Sequence, residues 1–120
     1  MPIELKDWVA VDLPGGGPEW EPGAREDVWF VVEFNVGDVG EAASDLFQVM
    51  VATPESLRAL RHRGGRPHNA KILLMEGEVS WEAVVTELRR VVESCDEGNM
   101  RWSIDKLRKH FQWEYENYRG

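Results

Sequence analysis

The side chains with chemistry to offer are 22 carboxylates, three histidines and one thiol. A metal centre needs ligands at fixed spacing. His62, His68 and His110 fit no H-E-x-x-H run, the single Cys95 excludes a C-x-x-C pair, and no EF-hand pattern occurs. His62 and His68 stand in or beside a basic stretch, whose positive charge disfavours a cation. Cys95 with a histidine is the minimum of a nucleophile pair, but it falls on the apolar side of a helical pattern, where a thiol is an inert small core residue. Ser44-Asp45 and Ser103 with Asp105 lack the glycine-flanked elbow of a hydrolase. Gly15-Gly16-Gly17 lacks the Lys and Ser/Thr of a phosphate loop, and Gly37-x-x-Gly40 is too sparse for a dinucleotide fingerprint. Carboxylate pairs occur at Glu76 and Glu78 and at Glu114 and Glu116. Acid catalysis needs one of a pair desolvated, whereas in so acidic a chain such pairs are expected at the surface. No catalytic, cofactor or metal site is expected, and the chain reads as a binding protein rather than an enzyme.

Charge bounds the partner. The net charge is −8, unevenly spread: residues 1–55 hold 12 acids and 2 bases, while residues 56–71 hold 5 bases and no acid. An acidic front half repels nucleic acid and attracts a basic protein surface; the plainer alternative is an acidic surface that keeps the protein soluble. The basic residues Arg58, Arg61, Arg63, Arg66 and Lys71 lack the interleaved aromatics of a single-strand reader, so no nucleic-acid partner is expected. No stretch approaches a membrane span, the N-terminus lacks a signal-peptide pattern, and one cysteine suits a reducing compartment; a cytoplasmic protein without a membrane partner is expected.

These side chains must be positioned by one domain over residues 1–120, a length that buries roughly two-thirds of the unfolded chain's surface. Ile3, Leu5, Val9 and Val11 suggest an edge strand with Asp7 breaking the alternation. Residues 14–23 form a Pro/Gly-rich surface loop without regular structure, with Trp20 folding back onto the body. The clearest strand is 28–36, with Val28, Phe30, Val32, Phe34 and Val36 on one face and Trp29, Val31, Glu33 and Asn35 on a half-covered other face. A turn at 37–41 leads to a third strand, 46–52, in an antiparallel hairpin. Thr53-Pro54-Glu55 starts a helix with Leu57 and Leu60 inward; 63–69 is a basic loop and 71–76 a fourth strand. Ser80 caps the longest helix, whose inner face is Trp81, Val84, Val85, Leu88, Val91, Val92 and Cys95. A last helix spans 101–110, with Trp102, Ile104, Leu107 and Phe111 as its inner residues. The aromatic tail at 112–119 is either extended or a frayed turn. The sum is an α+β fold: an antiparallel sheet of about four strands with two or three helices packed on one face, and no alternating parallel arrangement.

Asp45-Leu46-Phe47-Gln48-Val49-Met50-Val51-Ala52-Thr53-Pro54-Glu55-Ser56-Leu57 resembles the D-x-F-x-V-x-V-x-T-P-x-x-L signature of the Immunity protein 8 family. Phe34-Asn35-Val36-Gly37 is similar as well, as are Cys95, Gly98, Trp102, Leu107, Phe111 and the run Trp113 to Tyr118, so the likeness covers residues 28–119. It implies a bacterial immunity protein of a polymorphic toxin system, which binds and neutralises a cognate toxin domain made by the same cell or its kin. The loop at 14–23 and the basic stretch at 58–71 are not part of the pattern. Most matched residues read as core or turn types, among them Phe47, Val49, Val51, Leu57, Trp102 and Leu107. Under this reading inhibition is steric, and an acidic face suits the basic cleft of a nuclease. The expected face comprises Asp38, Glu41 and Asp45 around the hairpin, Glu19 and Glu21 in the preceding loop, and Trp20 and Trp29 as aromatic anchors at its centre. The competing readings are packing for the tryptophans and a solvated surface for the acids. An interaction module of some other assembly is the alternative function.

Overall fold

The computed structural model describes residues 2–23, 27–62 and 71–115, with the side chains of residues 61 and 62 excepted. The basic loop at 63–69 and the tail beyond 115 lie outside the described residues. The elements run β1 (Ile3–Ala10), a 3-10 turn (Pro14–Gly16), β2 (Trp29–Asp38), β3 (Asp45–Ala52), α1 (Pro54–His62), β4 (Ile72–Leu74), α2 (Trp81–Ser94), α3 (Met100–His110) and β5 (Gln112–Trp113).

Five strands form one sheet in the order β1-β2-β3-β4, with β5 paired to β3. The β1–β2, β2–β3 and β3–β5 pairs are antiparallel. β4 is the exception to the expected antiparallel arrangement, because it pairs parallel to β3. Parallel neighbours require a long crossover rather than a tight turn, and α1 stands between β3 and β4 in the chain. The alternation along β2 sends Phe30, Val32, Phe34 and Val36 inward, where they are almost fully buried. α2 and α3 pack on this face through Val84, Leu88, Val92, Leu107 and Phe111, all in one core with the strands. Phe111 stands edge-on to Phe34 with ring centroids 4.8 Å apart. In α1, Thr53 Oγ1 accepts from Ser56 N–H and Ser56 Oγ accepts from Thr53 N–H, a reciprocal cap. Leu57 is half-buried rather than core, as is Leu60.

Three further expectations change. The ladder between β1 and β2 slips at Lys6, between Leu5 and Asp7. One extra residue reverses which face later side chains take. Trp8 and Ala10 therefore turn inward, and Val9 and Val11, read as facing Ile3's side, stand 42% and 50% exposed. Trp102 is not an inner residue of α3: it is 64% exposed, and Met100, Ser103 and Leu107 are buried in its place. Asn99 sets this phase, its side chain accepting from Trp102 N–H at 2.9 Å as the N-cap. The Pro/Gly-rich loop, expected to be irregular, contains the short 3-10 turn and is seated on the body. Trp20 meets Phe30 edge-on at 5.1 Å. Gly17 has φ +127°, and a Cβ there would lie 2.5 Å from carbons of the Trp81 indole.

Candidate partner-binding face

Opposite the helical core, strand register arranges the outward side chains in rows across the sheet. Nearest the β2–β3 hairpin, Asp7 is level with Asn35 and Asn35 with Leu46. Leu46 also exchanges two hydrogen bonds with Glu114, donating its N–H to Oε1 at 3.1 Å and accepting from the Glu114 N–H at 3.0 Å. The next row is Val9, Glu33, Gln48 and Gln112. Val31, Met50 and Ile72 follow, with Val11 beside Val31 through its N–H. Trp29, Ala52 and Leu74 come last. One face thus grades from carboxylate and amide at the hairpin end to apolar at the other, with Leu74 45% exposed.

Where β5 joins β3, a shallow cleft of ≈ 240 Å³ opens, lined by Glu33, Leu46, Gln48, Gln112, Trp113 and Glu114. Arg108 of α3 lies over the Trp113 ring at 5.3 Å and braces one wall. Beside it, burial pushes the Asp45 carboxyl above its usual range, and the negative charge of Glu114 adds to the effect. Cys95 is buried, and loss of solvent raises its thiol pKa; a protonated core thiol has no nucleophilic role. Among the described residues no group of three or more His, Cys, Asp or Glu side chains is placed to hold a metal. No described helix is long and apolar enough to cross a membrane.

The seven residues expected to bind a partner fall into two separated groups. Trp29 and Asp38 begin and end β2, so at ~3.3 Å per residue they stand roughly 30 Å apart. Asp38, Glu41 and Asp45 gather at the hairpin end, while Glu19, Trp20 and Glu21 sit near the opposite end with Trp29. Trp20 is spent on packing against Phe30, whereas Trp29 is half-buried on the outward face. The Asp38 carboxylate accepts the Met100 N–H at 2.8 Å and ties the hairpin to the start of α3. Glu41 is exposed in the turn, and its carbonyl accepts from Lys6 Nζ at 2.6 Å. Glu19 and Glu21 are exposed in the loop. Residues not anticipated as a site are Asp7, Val9, Val11, Glu33 and Glu114. The β2 alternation already set Glu33 outward, but a bulge in β1 and a two-residue β5 left no readable pattern.

No curated protein and no solved structure matches the chain. The family model described as Immunity protein 8 matches residues 9–118, which takes in all the described strands and helices except the first residues of β1. The chain therefore belongs to the Immunity protein 8 family.

Proposed function

We propose that this immunity protein binds a cognate bacterial toxin domain and neutralises it by covering the active site, without chemistry of its own, and that the toxin surface it meets is basic, as the cleft of a nuclease is. One observation carries the charge assignment. Asp7, Asp38, Glu41, Asp45 and Glu114 lie toward the hairpin end, with Glu33 farther along β2, while the one base on the described strands, Lys6, is shared with Glu4 at 3.5 Å. Such an excess raises the encounter rate with a cationic surface and repels nucleic acid competing for it. A sheet braced by two helices supplies the rigidity that steric inhibition needs, because little ordering is lost on docking. The reading places the protein in the cytoplasm, with a protein partner and no cofactor.

The test is co-expression with the C-terminal domain of a large toxin-like protein, if one is encoded in the adjacent reading frame. Restored growth together with a co-purifying complex supports the proposal. Unrelieved toxicity with no complex removes it.

A further inference from the structure

Resting on that reading, we infer that the toxin docks on the outward sheet face, with a lysine or arginine of the toxin entering the β3–β5 cleft between Glu33 and Glu114 and aliphatic toxin side chains covering Val9, Val11 and Val31. Glu33 is the central observation. It is half-buried on a middle strand, its lateral neighbours are Val9 and Gln48, and no ion pair compensates it among the described residues. A carboxylate in that position makes charge-assisted hydrogen bonds with an incoming cation. Glu114, fixed by its two hydrogen bonds to Leu46, forms the facing wall. Gln48 and Gln112 lie level with Glu33 and offer amides to the remaining donors of a guanidinium.

The apolar flank makes this a docking face rather than a solvated acidic patch. Val9 and Val11 stand 42% and 50% exposed beside half-buried Val31, and desolvating such a border strengthens a central ion pair. The charge identifies the occupant. Lys71, half-buried near Met50 and Gln112, Arg108 over Trp113 and Lys6 beside Glu4 are cations on or beside this face, fewer than its carboxylates, so a second copy with net charge −8 would oppose carboxylate to carboxylate. A basic surface does not.

The test measures the affinity of the same toxin C-terminal domain for the wild-type protein and for Glu33→Lys, Glu33→Gln, Val11→Glu and, on the helical side, Trp102→Ala. Expected are a loss of at least about thirtyfold for Glu33→Lys and about tenfold for Glu33→Gln and Val11→Glu, against less than about twofold for Trp102→Ala. Thermal unfolding of each variant accompanies the titration. If Glu33→Lys fails to fold, the two milder variants decide. Wild-type binding with all outward-face variants within about threefold overturns this inference but leaves neutralisation standing. Absence of wild-type binding overturns both. A wild-type dimer that Val11→Glu dissociates without changing toxin affinity assigns the face to a second copy and also overturns the inference.

Discussion

Replacing Gly17 by alanine tests whether the loop at 14–23 is a seated part of the body or a free surface. The new Cβ would stand 2.5 Å from Cη2 and Cζ2 and 2.6 Å from Cε2 of Trp81. These belong to a rigid ring packed against the core, so the contact cannot be relieved by swinging a flexible end. The backbone adds strain, since φ is +127° with ψ −46°, and an L-residue at positive φ costs about 1–2 kcal/mol. Forcing a methyl into a filled space costs about 1–3 kcal/mol more. The expected destabilisation is therefore about 3 kcal/mol. With an unfolding entropy of about 2.1 cal/mol/K per residue, 1 kcal/mol corresponds to about 4 °C at this length, so Tm falls by about 12 °C.

Gly77→Ala separates the two contributions. Gly77 has φ +76° but nothing within 4 Å of an added Cβ, so strain alone applies and Tm falls by about 4–8 °C. Differential scanning calorimetry of both variants, and of Gly17→Ala combined with Trp81→Ala, gives the interaction directly. In the absence of the indole, Gly17→Ala should cost no more than Gly77→Ala. A Gly17→Ala loss equal to or smaller than that of Gly77→Ala would refute the wedge and return the loop, with Glu19 and Glu21, to the list of adaptable surfaces.

Two further outcomes follow from the core and from the cleft. Phe111→Ala removes the ring that meets both Phe34 at 4.8 Å and Phe47 at 6.4 Å and should cost about 3–5 kcal/mol, read as a fall in urea midpoint at constant m; a loss below about 1 kcal/mol would mean that the ring is not a core element. Asp45 has its folded-state pKa raised by burial and by Glu114, so just above the ordinary carboxylate range the folded protein holds this proton more firmly than the unfolded chain. Its contribution therefore grows more favourable as pH falls through that window and is a penalty at neutral pH. Asp45→Asn should raise Tm slightly near neutrality, and the difference from wild type should vanish or reverse on acidification; a neutral-pH loss would contradict the sign.

The strands of strict alternation were legible in the sequence, and the elements set by a single added residue or by pairing were not. Phe30, Val32, Phe34 and Val36 declare their face because a two-residue period survives any tertiary context that keeps one side dry. Ser80 announced α2 for a similar reason, its hydroxyl accepting from Ala83 N–H at 3.0 Å. Val9 and Val11 were misassigned because a bulge at Lys6 changes phase without leaving a compositional mark. Trp102 misled because hydrophobicity argues for burial, while the cap at Asn99 turned the helix so that Leu107 and Met100 took the inward positions. The β4 direction depended on the crossover that follows β3, since β5 pairs antiparallel with the same strand, a property of the whole chain path. The same holds for the proposed face: Glu33 and Glu114 are far apart in sequence and line one cleft because β5 returns to β3.

The two sets of carboxylates suit different stages of one association. Glu41 is exposed in a turn, where its charge acts at a distance through solvent and is screened within about 10 Å at ordinary salt. Such a group alters how fast a cationic toxin arrives and little else. Glu33 is held in a backbone ladder at the middle of the sheet, bordered by valine and glutamine, where docking would exclude water and remove that screening. A charge pair made there governs how long the partner stays. On the proposed face, neutralising Glu41 should therefore change the association rate and its salt dependence, while neutralising Glu33 should change mainly the dissociation rate. The separation arises because the hairpin carries one group beyond the sheet's end and β2 keeps the other within it.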